Sequence, residues 1–186
     1  MNDQNSTKIN EIVKQSIVTI SKIEIFSENI IQITNHIVNA ISVGKKVIIF
    51  GNGGSAADAQ HIAAELIGRF SLERKSYPAI ALTTDTSALT AIANDYDYNQ
   101  VFSRQCEGLV NDGDVVIGIS TSGNSENVKR GLEVSNEKNA FTIGLLGNGG
   151  GKIKDIVNIS ISIESKSTPR IQESHRVIYH IICQMV

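Results

Sequence analysis

Isoleucine and valine return every three or four positions through residues 5–43, at Ile9, Ile12, Val13 and Ile17 and again at Ile30, Ile33, Ile37, Val38 and Ile41. That spacing lines one face of a helix, and Gly44 suits a helix C-terminus, so residues 1–43 read as two amphipathic helices. Helices this apolar need a partner surface. Beyond Gly44 the pattern changes to short β-rich runs: KKVIIFG at 45–51, AIALT at 79–83, DVVIGIS at 114–120, FTIGLLG at 141–147 and VNISISI at 157–163. Most are separated by helical patterns, which predicts parallel strands joined by crossovers and a sheet covered on both faces. The link between the fourth and fifth runs, Gly147–Gly151, has room for about one helical turn. A last helix is predicted to start at Thr168 as cap, with Pro169 in its first turn, and to run through RIQESHRVIYHIICQMV.

Composition narrows the class. With 186 residues, 41% of them hydrophobic, the chain can bury one good core, and a single domain over 1–186 is expected, the helices of 1–43 packed on an α/β core of 44–186. A net charge of -2 without a Lys/Arg block gives no footprint for nucleic acid or an anionic membrane, so any bound anion is small and locally held. Cys106 and Cys183 fit no CxxC pattern and are thiols of the kind a reducing, cytoplasmic compartment tolerates. No stretch approaches the ~20 apolar residues of a membrane span, and MNDQNSTKINEIVK lacks the basic start and apolar run of an export signal. A soluble, unexported protein is expected.

In a sheet of this kind the loops leaving the C-terminal strand ends gather where the strand order reverses, and ligands bind there. That expectation puts GNGGS (51–55) beside STSGNS (120–125). The first loop departs from a dinucleotide fingerprint, because Ala56 stands where the third glycine belongs and Asp85 is too distant for the ribose acid; it departs from a P-loop because no Lys-Ser/Thr pair follows. Asn52, Gly53, Gly54 and Ser55 remain a tight turn whose N–H groups open onto a helix N-terminus, fit for an anionic or hydroxyl-rich ligand or simply for strand-to-helix geometry. The second loop gathers the hydroxyls of Ser120, Thr121, Ser122 and Ser125 around Gly123 at another helix start. A phosphate is held well there without Lys or Arg, whereas a plain capping turn would need only one or two of those hydroxyls.

On the helix after GNGGS, Asp58, His61, Glu65 and Arg69 share one face, and Ala56, Ala63, Leu66, Ile67 and Phe70 another. A solvated polar face looks the same, and His and Glu at i and i+4 can simply pair. A metal would need a third ligand. The last helix offers Gln172, His175, His180 and Cys183; position alone does not choose among them.

Taken together, GNGGSAADAQHIAAELIGRF, ALTTDTSALTAIANDYDYNQVFSRQ, GISTSGNSENV and RIQESHRVIYH resemble the phosphoheptose isomerases of the sugar-isomerase (SIS) family. The likeness covers about residues 44–183, and four ordered motifs are more specific than any one alone. It implies a three-layer α/β sandwich, a five-stranded parallel sheet of flavodoxin-like order, assembled as a homotetramer that makes the heptose precursor of lipopolysaccharide or capsule. By the same resemblance Asn52, Gly53, Gly54, Ser55, Asn94, Asp95, Ser120, Thr121, Ser122, Ser125 and Gln172 would contact the sugar phosphate, as would Glu65. His61, Glu65, Gln172 and His180 would hold one zinc ion per subunit, with Glu65 and His180 as the acid–base pair. Two positions depart from the pattern: Ala93 stands where Gly often precedes Asn-Asp, and Pro169 where an acid or Ala precedes Arg170. A non-catalytic member of the family, sensing a sugar phosphate or binding the replication initiator, is the alternative; an isomerase for another ketose phosphate is a second.

Spacing adds a constraint. Gln172 and His180 are eight residues apart, a rise of about 12 Å on a straight helix, so one ion can scarcely bridge them. A site using both is expected to draw them from different subunits, with the Glu65 carboxylate and the His180 imidazole meeting across that boundary.

Overall fold

Each of the five apolar runs forms a strand in the computed structural model, which describes residues 2–186. The elements, in chain order, are α1 (Asn2–Ser21), α2 (Ser27–Ser42), β1 (Val47–Gly51), α3 (Gly54–Ile67), β2 (Ala79–Ala81), α4 (Thr86–Asp95), α5 (Ser103–Leu109), β3 (Val115–Ser120), α6 (Glu126–Glu137), β4 (Phe141–Gly147), β5 (Ile159–Ile163) and α7 (Thr168–Met185). The strands pair in parallel in the order β2-β1-β3-β4-β5, the flavodoxin-like arrangement. All residues of β1 and β3 are buried, as expected of strands covered on both faces.

Alternate side chains of each strand feed two cores. Val47, Ile49, Ile117, Leu145 and Ile161 pack with Ile33 and Ile37 of α2, Ile62 and Leu66 of α3, and Ile178 and Ile182 of α7. Ile48, Phe50, Val116 and Leu146 pack on the other face with Phe102 just before α5, Cys106 of α5 and Val128 and Leu132 of α6. A helix-bearing face on each side of the sheet makes the three layers. No helix among the described residues is long and apolar enough to cross a membrane.

Four local expectations are corrected. β2 stops at Ala81, and Thr83 leaves the ladder, its hydroxyl donating to the Ala56 carbonyl at 3.4 Å. β5 starts at Ile159, because the Asn158 side chain instead accepts the Thr142 N–H, at 2.7 Å. The β4–β5 link is longer than expected: the one turn anticipated within Gly147–Gly151 is there, at Asn148–Gly150, but a second 3-10 turn, Lys154–Ile156, follows it. The N-cap of α7 is Ser167 and not Thr168, with no side-chain cap bond; Pro169 does sit in the first turn, where its missing N–H costs nothing.

The reversal of strand order falls between β1 and β3, where Gly51, the last residue of β1, is in register with Ile119, one residue before the end of β3. The glycine turn after β1 and the serine turn after β3 therefore emerge side by side, as the sequence predicted.

Candidate active site

The glycine turn is shaped for a backbone that side chains would obstruct. Gly53 has φ +56°, a left-handed value that favours glycine. A Cβ on Gly54 would lie 2.3 Å from Gln172 Nε2, so the amide of Gln172, from α7, rests on the first turn of α3. Asn52 and Asn127 exchange amide hydrogen bonds, each 2.9 Å, and the Tyr98 hydroxyl donates to Asn52 Oδ1 at 3.2 Å. Gly53 and Gly54 are exposed, whereas Ser55 is buried beneath the turn.

The serine turn is not a capping turn. Ser125 is the N-cap of α6 yet makes no side-chain cap bond; its hydroxyl lies 2.9 Å from that of Ser120, which in turn is 3.3 Å from that of Ser122. Three hydroxyls cluster before a helix N-terminus, where the dipole and free N–H groups favour an anion. Gly123 has φ +65°, and a Cβ there would fall 2.2 Å from the Gly150 carbonyl oxygen, so the turn is braced against the loop after β4. A hollow of about 320 Å³ beside it is lined by Thr121, Ser122, Asn148, Lys166, Thr168 and Ile171. Lys166 adds a cation that the serine motif itself does not contain.

A second constellation lies along the packed faces of α3 and α7. His61 Nε2 is 3.0 Å from Glu65 Oε1, the His61 and His180 rings lie edge to face at 5.1 Å, and one ligand atom from each of His61, Glu65 and His180 lies within 4.8 Å of the others. Two imidazole nitrogens and a carboxylate are the donor set of a catalytic zinc site. The residues present therefore fit a zinc ion. His180 is pushed below the ordinary imidazole value by partial burial and then by His61, against the opposing pull of Glu65, and this shift favours the neutral ring.

Behind this cluster Asp58 is buried and not solvated, correcting the polar-face expectation. Its Oδ1 accepts from Arg176 Nη2 at 3.2 Å and from the Tyr179 hydroxyl at 3.4 Å. The same hydroxyl is 2.9 Å from His61 Nδ1. Burial pushes the Tyr179 phenol up to about 12.

Not every anticipated residue joins these groups. Within one chain His61, Glu65 and His180 converge, so carboxylate and imidazole meet intramolecularly and not across a boundary. Gln172 stays at Gly54, and α7 runs as one α-helix from Thr168 to Met185, so the rise of about 12 Å to His180 stands. Along α3, His61 and Glu65 lie about 10 and 16 Å beyond Gly54. Asn94 and Asp95 end α4, exposed, the amide of Asn94 donating to Asp95 at 2.9 Å. His175 is fully buried with Nε2 2.9 Å from the Leu146 carbonyl oxygen, and both cysteines are free and buried.

Sequence spacing did not signal Tyr179, Asn127, Tyr98 or Lys166. Their roles arise from which elements pack together.

Comparison with known proteins agrees with this geometry. Residues 11–147 match the SIS domain family. The phosphoheptose isomerase of Geobacter metallireducens is 56% identical over 81% of this chain and 79% of its own length, and that of Aquifex aeolicus 49% identical over 96% and 94%. Among solved structures, phosphoheptose isomerase GmhA from Neisseria gonorrhoeae superposes with a TM-score of 0.91 at 39% identity, covering 96% of each chain. The phosphoheptose isomerase from Francisella tularensis gives 0.91 at 35% identity over 97% of each. Glycine and serine turns side by side at the strand ends, a His-Glu-His cluster and relatives this near over most of both chains have one common account: the chain belongs to the SIS-domain family and, within it, to the phosphoheptose isomerases.

Proposed function

We propose that the chain isomerises sedoheptulose 7-phosphate to D-glycero-D-manno-heptose 7-phosphate through an enediol, feeding heptose synthesis for lipopolysaccharide or capsule. The observation that carries this reading is the approach of His61, Glu65 and His180 ligand atoms to within 4.8 Å. A non-catalytic sensor would need the anion turn but not that cluster.

The reaction moves a proton from C1 to C2 and another between O1 and O2. Glu65, whose carboxylate is accessible at 23% side-chain exposure, takes the C1 proton and returns it to C2 on one face; His180, neutral, exchanges the proton of the oxygens. Zinc, held by His61, Glu65 and His180, would act as a Lewis acid toward the two substrate oxygens. Ser120, Thr121, Ser122 and Ser125 take the phosphate at the start of α6, with Lys166 beside them. Asn52, Gly53 and Gly54 hold sugar hydroxyls, with Asn94 and Asp95 as further contacts. Ser55, buried, supports the turn from below.

The offset along α3 supports sites shared between subunits, as in the homotetramer the resemblance implies, in which the phosphate turn and Gln172 of one subunit face the His61-Glu65-His180 cluster of another. Gln172 then supplies the fourth metal ligand across the boundary. The fold is one domain, and its two buried thiols support a cytoplasmic setting. Incubating the purified protein with sedoheptulose 7-phosphate and with fructose 6-phosphate, with and without chelator, tests the reading: turnover of the heptulose alone, lost with chelator, is expected. No turnover of either sugar by zinc-loaded protein would leave only the binding role.

A further inference from the structure

A neutral imidazole carries one N–H, so the partners of His61 decide which nitrogen is free to ligate. Nε2 faces Glu65 Oε1 at 3.0 Å and Nδ1 faces the Tyr179 hydroxyl at 2.9 Å. Two proton arrangements satisfy the group. In the first, Nε2–H donates to Glu65 and the tyrosine O–H donates to Nδ1. In the second, Nδ1–H donates to the tyrosine oxygen and the tyrosine O–H turns to Asp58 Oδ1, 3.4 Å away.

The second arrangement leaves the Nε2 lone pair bare against a carboxylate, which is favourable only when a cation stands between them. It also requires an acceptor for the displaced tyrosine proton. Arg176 cannot serve, since a guanidinium only donates: its Nε gives a hydrogen bond to the tyrosine oxygen at 3.1 Å and its Nη2 to Asp58 at 3.2 Å. Asp58, buried at 2% exposure beside Tyr179 at 1%, can accept it. The two arrangements hold the same number of protons; one moves from Nε2 to Nδ1 and the hydroxyl rotates.

We infer that Tyr179, backed by Asp58 and Arg176, is a positioning residue that holds His61 in the Nδ1–H form and so presents Nε2 to a metal between His61, Glu65 and His180. Loss of the partner that fixes such a ring opposite to the metal typically costs about 10- to 100-fold in affinity. Here a phenol relays the carboxylate that more often meets the ring directly. The inference rests on the zinc reading of the cluster.

Equilibrium competition of the full chain against a chromophoric chelator measures zinc affinity directly. Tyr179→Phe keeps the buried ring and removes the relay; Asp58→Asn keeps the shape and removes the acceptor charge. Both are expected to weaken zinc about 10- to 100-fold, with turnover recovering as zinc is raised to saturation. Nitrogen-15 shifts of labelled histidine should report a single Nδ1–H form for zinc-loaded wild-type His61. Unchanged zinc affinity in folded Tyr179→Phe, with His61→Ala still weakening it, overturns the positioning role alone. If His61→Ala also binds zinc as wild type does, the zinc reading falls and takes this one with it.

Discussion

Glu65 of α3 and His180 of α7 come from distant parts of the chain, yet their ligand atoms lie within 4.8 Å in one subunit. Two packed helices on one face of the sheet bring them together, through the same contact that buries Ile62 and Leu66 against Ile178 and Ile182. The proposed acid–base pair is therefore brought together by the fold of a single chain, and either side chain can be replaced without touching the core.

Glu65→Gln preserves the size and the hydrogen bond to His61 but removes the base. Isomerisation should fall by about 10²- to 10⁴-fold, with the unfolding midpoint and the binding of substrate phosphate little changed. Steady-state kinetics alongside calorimetric titration of the sugar phosphate checks this; near-normal turnover would remove Glu65 from the reaction.

Subunit mixing separates the two halves of the proposed shared site. Chains carrying Glu65→Gln and chains carrying Gln172→Ala, each inactive, should regain partial activity when co-assembled, since intact clusters then face intact Gln172 residues. Glu65→Gln with His180→Ala should regain none, because every cluster carries one defect. Rescue by the second pair, in assemblies verified as mixed, would place those two residues on opposite sides of a boundary.

Gly123→Ala tests the brace of the serine turn. An alanine at φ +65° with its Cβ 2.2 Å from the Gly150 carbonyl oxygen combines left-handed strain of about 1–2 kcal/mol with a backbone collision. Stability should fall by at least about 2 kcal/mol, measured by urea denaturation, and KM should rise as the hydroxyls of Ser120, Ser122 and Ser125 lose their arrangement.

The pH dependence of stability should carry the mark of His175. Burial, offset in part by its bond to the Leu146 carbonyl, lowers its proton affinity below that of an ordinary imidazole, about 6.5. Its Nδ1 is buried without a hydrogen-bond partner among the described residues. With the native value depressed, the unfolded chain binds more protons as pH falls below about 6.5, so stability is full above that value and declines through the native one. His175→Gln, which can still donate to Leu146 but cannot titrate, should flatten this acid limb in denaturation curves taken from pH 8 to 5.

Much of this was legible in the residues themselves. Apolar runs in β1 and β3, buried on both faces, announce parallel strands by their lack of alternation. Glycines at 53 and 123 mark turns by conformations that other residues resist. The reach of β2 and β5 was overestimated, since the Thr83 hydroxyl turns to the Ala56 carbonyl and the Asn158 side chain takes the place of a backbone carbonyl as acceptor for the Thr142 N–H. The site was half visible. His61 and Glu65 announce a shared face by spacing, and the family resemblance adds His180, but whether the face is solvated depends on α7, and only the packed pair shows Asp58 buried and His180 beside His61 and Glu65 within one chain. Tyr179 sits at an apolar position of α7 and its hydroxyl has no meaning until α3 is opposite it.

The N-terminal helix carries a last consequence. Ile9, Val13, Ile17 and Val18 of α1 are 51–61% exposed in the single chain, while Arg170 ties α1 to α7 by a 3.0 Å bond from Nη1 to the Ile12 carbonyl. Any copy of the chain that covers those side chains stabilises the folded form by mass action. Chain concentration then becomes a thermodynamic variable of the molecule, and dilution a mild denaturant whose first effect falls on α1.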